Sequence, residues 1–188
     1  MRKTKKITIS AVLTALSFVY IIFMPGINIP LWSFTPFSHI FLFIACLISP
    51  YTAFMTYLAV VGGFILRPGA TYFVWLRAAS HLFFIIFLVI YIKIFKLKSK
   101  KHILIASACT AVIHAGFEVL AVLLGLAVGF EGNGTLYYIL VVVGLGTLGH
   151  SLLDYFAAIF VFKVSRLEKF IEPNQIEPLK PLPPENPE

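Results

Sequence analysis

Three pairs of ionisable residues stand out in a chain that is otherwise apolar: Arg77 with His81, His114 with Glu118, and His150 with Asp154. The members of each pair are four residues apart, so on a helix each pair shares one face about a turn apart. Arginine offers a planar fork of N–H donors that suits a carboxylate. Histidine and carboxylate side chains can relay protons, hydrogen-bond across helices or hold a transition metal. A charge in hydrocarbon costs roughly 2.5 kcal/mol or much more, so Arg77 needs water, a partner or a ligand.

Three kinds of chemistry fit these residues. Arg77 and Glu118 fall at similar depths when counted from their helix ends, which allows an internal ion pair. His114, Glu118, His150 and Asp154 are suitable metal ligands, although counting from the helix end places Asp154 near the inner end of its helix. Arg77 is also flanked by Tyr72, Phe73, Trp75, Phe83 and Phe84. An aromatic box with one cation suits a small, flat molecule carrying a carboxylate. The last reading is favoured, and it needs neither a metal nor another cofactor. Catalytic motifs are absent: the chain has no phosphate-binding P-loop, no HExxH and no GxSxG, so it is expected not to be an enzyme.

The elements that must position these residues are transmembrane helices. The chain is 60% hydrophobic with only 12% charged residues. Soluble domains carry about twice that charge. The expected fold is an all-α integral membrane protein, a six-transmembrane-helix bundle with both termini cytoplasmic. The spans fall at about 7–24, 37–48, 51–66, 71–95, 102–130 and 136–166. The first is read as a retained helix, because no small-x-small cleavage site ends it. Twelve of the fifteen basic residues lie before the first span, in the central cluster KIFKLKSKK or at and just after the end of the sixth. This bias sets the orientation and explains the net charge of +7 without nucleic acid. Residues 1–170 form the membrane domain. Residues 171–188, rich in proline and glutamate, form a cytoplasmic tail expected to be disordered. Residues 25–36, with three prolines, read as an outer loop able to cover a cavity.

The first span carries Ala11 and Ala15, small residues four apart that let another helix approach closely. With this basic start, that alanine pair, five further helices and no ATPase motif, the chain resembles the substrate-binding S components of energy-coupling-factor (ECF) transporters. The segments SFTPFSHIFLFIACLISP, LRAASHLFF, IHAGFEVL and GLGTLGHSLLDY are most like the niacin-specific NiaX branch of that family. The resemblance covers residues 5–166 and implies a multi-pass protein of the bacterial plasma membrane. It implies capture of a carboxylated vitamin, nicotinate or a close relative, from outside. Transport would be driven by a transmembrane coupling subunit and two ATPase subunits. It also implies a role for Ala11 and Ala15 at the interface with the coupling subunit. Arg77 is then the candidate for the ligand's carboxylate. His81, His114 or Glu118 would meet the ring nitrogen or orient Arg77. Trp32, Ser33 and His39 would close the site, and a structural role is favoured for His150 and Asp154. The alternative, of a different class, is a membrane-embedded metal-binding protein or enzyme built on the His/acid pairs.

Overall fold

A computed structural model describes residues 3–29, 31–97, 99–132 and 134–167. The tail expected at 171–188 lies outside the described residues. Helix α1 is Lys3–Phe23, and a hairpin follows it, β1 Ile27–Ile29 and β2 Trp32–Phe34. Then come α2 Ile40–Ile48, α3 Pro50–Leu66, α4 Tyr72–Phe95 and α5 Lys100–Ala127. The last helix, α6, is Leu136–Val164. It contains a π-helical stretch at Ile139–Leu145.

The protein is an all-α membrane protein with, among the described residues, one small hairpin. Thr4–Phe23, Tyr72–Phe95, Lys100–Ala127 and Leu136–Val164 are long and apolar enough to cross a membrane. Helix α3, at 17 residues, rises about 26 Å, just short of the hydrocarbon thickness of about 30 Å. Helix α2 has nine residues and rises only about 14 Å. It is not a full span, and its start at Ile40 rather than 37 has a local cause. Phe37 adopts a left-handed backbone with φ 57°, so residues 37–39 form a turn and place Ser38 and His39 ahead of the helix.

The break between α2 and α3 is written in Ser49-Pro50. Ser49 is extended, and its hydroxyl accepts the Thr52 N–H at 3.1 Å. Pro50 then occupies the first turn of α3, where no N–H is needed. Helices α1 and α3 meet through hydroxyl contacts between Ser10 and Thr52 at 2.7 Å and through Gly63, where a Cβ would lie 3.0 Å from Ile21.

The expected loop at 25–36 is instead a two-stranded antiparallel hairpin in which Ile29 pairs with Trp32 and Ile27 with Phe34. Arg67, at the end of α3, anchors it. One guanidinium nitrogen donates to the Met24 carbonyl at 3.0 Å, and another donates to the Thr35 hydroxyl. At the hairpin's tip Leu31 has φ 63° and is buried.

Candidate anion-binding site

The polar residues converge where the hairpin, the start of α2, and helices α4, α5 and α6 meet. Arg77 comes from α4, about one and a half turns from its N-terminus, and Glu118 from the second half of α5. Arg77 donates to one carboxylate oxygen, Glu118 Oε2, through Nε at 3.0 Å and through a terminal nitrogen at 2.7 Å. That terminal nitrogen also lies 3.5 Å from the Ser33 carbonyl. The ion pair expected from helix depth is therefore present, and both residues are buried. The second terminal nitrogen of Arg77 is buried with no hydrogen-bond partner. The hydroxyl of Thr147, on α6, also donates to Glu118 Oε2.

The other carboxylate oxygen of Glu118, Oε1, lies 3.3 Å from His81 Nε2 and 3.3 Å from His114 Nε2. The His81 contact has hydrogen-bond geometry, while His114 Nε2 approaches at an angle that makes none. His39 Nε2 faces His81 Nε2 at 3.4 Å, and the His39 ring sits 4.6 Å from that of His114. Four imidazoles thus form one knot around His39, with His150 at 4.8 Å between ring centroids.

Counting from helix ends put His150 and Asp154 below this cluster. The structure places them beside it. His39 donates to Asp154 Oδ2 through its backbone N–H at 3.0 Å, and its Nδ1 lies 2.9 Å from the same oxygen. Asp154 thereby supplies an acceptor to the N-terminus of α2, where orphan N–H groups and the helix dipole favour a carboxylate. His150 Nε2 reaches the Ser38 hydroxyl at 3.1 Å. The reason for the changed depth is α6 itself. It runs 29 residues, longer than a bilayer requires, and its π-helical stretch shifts the register of everything after Leu145.

The aromatic box expected around Arg77 is not assembled from α4. Residues one or two apart on a helix point in different directions. Phe83 stacks on Phe117 and is 46% exposed, while Trp75 lies edge-on to Tyr72. Of the five, Phe84 packs against the imidazole knot, 4.5 Å from His114. The other aromatic neighbours of the knot come from elsewhere: Phe34 on His150 at 4.7 Å, Phe43 near His39 and Phe64 near His81.

Two spaces flank these groups. A cavity of about 20 Å³ borders Ser33, His39, Arg77, His81, Glu118 and His150, enough for about one water. Outside it lies a cleft of about 630 Å³ under the hairpin, lined by Leu31, Trp32, Ser33, Tyr72, Phe73 and Phe130 among others. Ser33 and Val74 line both spaces, so strand β2 and the first turn of α4 form the wall between them. Trp32 stands outside the polar cluster. It stacks on Phe34 and covers Gly146, where a Cβ would sit 3.2 Å from the indole. Of the residues picked from the sequence, His39, Arg77, His81, His114 and Glu118 are together, Ser33 touches them through its carbonyl, and Trp32 covers the approach.

Ala11 and Ala15 are exposed. They line a groove of about 470 Å³ on the α1–α3 surface with Ile7, Thr14, Phe18, Tyr51, Met55 and Ala59.

A relative matches most of this chain in sequence. The niacin transporter NiaX of Lactococcus lactis subsp. cremoris (strain MG1363) is 32% identical over 164 residues, which is 81% of this chain and 71% of the relative. The chain belongs to the NiaX family. It is a multi-pass membrane protein of the bacterial cell membrane. No protein-family model matches it. No solved structure matches it either. Within this NiaX-family chain, Thr147 is the site residue that the sequence reading missed. The signal was present in its spacing: Thr147 stands three residues before His150 and seven before Asp154, on the same helix face.

Proposed function

We propose that this chain is the substrate-binding S component of an ECF transporter, capturing nicotinate or a close pyridine carboxylate from the outer side. The observation that carries the reading is the buried, unpartnered guanidinium nitrogen of Arg77, beside a polar cavity and under an apolar cleft roomy enough for a vitamin. A ligand carboxylate on that nitrogen forms a charge-assisted hydrogen bond in a site that excludes water. The hairpin and Trp32 act as the lid, and the cleft is the entrance. The family and the basic-residue bias support a six-helix arrangement, with α2 only a partial span, and both termini inside. On that arrangement the cleft opens outward. The chain is a binding subunit and not an enzyme. A transmembrane coupling subunit and two ATPases supply the energy, and the groove at Ala11 and Ala15 takes a helix of the coupling subunit.

Isothermal titration of the purified chain with nicotinate tests this. Binding in the absence of partners is expected. Arg77→Ala should weaken it by at least about 1.5 kcal/mol. Nicotinamide, which lacks the charge, should bind more weakly than nicotinate. Equal affinities for the two, or an unchanged Arg77→Ala variant, would remove the carboxylate contact from the proposal.

A further inference from the structure

The imidazole knot has no full account as hydrogen bonding. His114 is 1% exposed, and neither of its ring nitrogens has a hydrogen-bond partner. His81 Nδ1 is likewise buried and unpartnered. Orphaned buried polar atoms of this kind are destabilising. His39 Nε2 and His81 Nε2 point at each other across 3.4 Å, and one donor atom each from His39, His81 and His114 falls within 4.8 Å of the others. In a tetrahedral site with metal–nitrogen bonds of about 2.0–2.1 Å, two ligand nitrogens sit about 3.4 Å apart. The His39–His81 separation is already that edge.

We infer that His39, His81 and His114 form a divalent transition-metal site of the zinc class, with one coordination position left open. Two further observations support it. Asp154 Oδ2 lies 2.9 Å from His39 Nδ1, the arrangement in which a carboxylate fixes the tautomer of a metal-bound imidazole and presents its other nitrogen to the ion. The same contact disfavours the neighbouring set of His39, His150 and Asp154, because Asp154 Oδ2 already accepts the His39 backbone N–H. Charge points the same way. With neutral imidazoles, Arg77, Glu118 and Asp154 leave the buried cluster at minus one. A carboxylate entering it meets net repulsion, whereas a divalent cation turns the cluster to plus one and the incoming anion brings it to neutrality. A pyridine nitrogen is chemically an imidazole-like donor, so the open position suits the ring nitrogen of the ligand. That last step rests on the vitamin reading above; the three-histidine site does not.

The test uses the full chain, purified on an affinity tag without histidine, stripped with a chelator and loaded with Co²⁺. One cobalt per chain is expected, with the visible absorption of a tetrahedral ion. His114→Asn, His39→Asn and His81→Asn should each lose it while remaining monodisperse in detergent. Wild-type protein that retains no metal overturns the site, as does equal retention in all three variants. If the variants aggregate, the stripped and loaded wild type decide the matter, since binding to a real site must raise the thermal unfolding midpoint. Nicotinate is then titrated into both forms. At least tenfold tighter binding to the loaded form, with a shifted cobalt spectrum, supports ring-nitrogen coordination. Equal affinity and an unshifted spectrum overturn that step. No binding to either form, with cobalt still held, would sink the vitamin reading and leave the metal site standing.

Discussion

Glu118→Gln separates two roles that the site geometry allows for this residue. Glu118 holds Arg77 through two N–H donors on one oxygen, at 3.0 and 2.7 Å. Glutamine keeps the shape and an acceptor but removes the charge. The unliganded protein then contains a buried guanidinium without its counter-ion, which costs about 3–5 kcal/mol of stability. A carboxylate that enters the site replaces the lost charge and recovers part of this. Taking the recovery as one charge-assisted hydrogen bond, about 1.5–3 kcal/mol, nicotinate should bind roughly 10- to 150-fold more tightly to Glu118→Gln than to wild type. Arg77→Gln should shift affinity in the opposite direction, and nicotinamide should show little change with Glu118→Gln. The assay is isothermal titration of each purified variant, alongside thermal unfolding in detergent. Weaker or unchanged nicotinate binding to Glu118→Gln would falsify the view that Glu118 competes with the ligand for Arg77. It would mean that Glu118 touches the ligand itself.

Other outcomes follow from the same geometry. Thr147→Val removes the hydroxyl that donates to Glu118 at nearly constant volume. It should lower stability by about 1.5–3 kcal/mol, read by denaturation in mixed detergent, and an unchanged midpoint would show that this contact contributes nothing. Tryptophan at Ala11 or Ala15 fills the exposed groove without touching the polar cluster. Nicotinate binding should survive and cellular uptake should fall. Loss of binding in these variants would place the alanines in the packing of the chain itself.

The parts of the site visible in the sequence are those that depend on helical period alone. Pairs four apart announce a shared face wherever the helix sits, so Arg77/His81 and His114/Glu118 could be picked out, and their depths matched. Depth failed for His150 and Asp154 because counting from a helix end assumes a straight helix of membrane length. The length of α6, 29 residues, is visible in the span read at 136–166, but its π-helical stretch has no clear sequence signature beyond the glycines Gly144 and Gly146. The central position of His39 was hidden for a related reason. It precedes a helix of nine residues whose start lies against Asp154, and a short apolar segment reads as a span until its partners are known. The hairpin was concealed by its prolines, although INI and WSF alternate apolar and polar residues as a strand does. The aromatic neighbours of the knot come from β2, α2, α3 and α4 together, and no single segment could have shown that grouping.

Leu31 gives the hairpin a property separate from affinity. Its left-handed backbone is a strained choice for a branched residue, held because its side chain fits over Gly132 and Gly134, where any Cβ would collide with it. Lifting the hairpin means withdrawing that side chain, at about 1.5–3 kcal/mol for a buried leucine. The same step lies on the way in and on the way out. Leu31 should therefore set residence time and loading rate together while leaving the dissociation constant nearly fixed. In stopped-flow measurements Leu31→Ala should speed both rates by a similar factor. On the proposed function, a bound vitamin leaves no faster than the latch allows, so the hairpin contributes with the ligand's own contacts to the interval in which a partner can meet the loaded subunit.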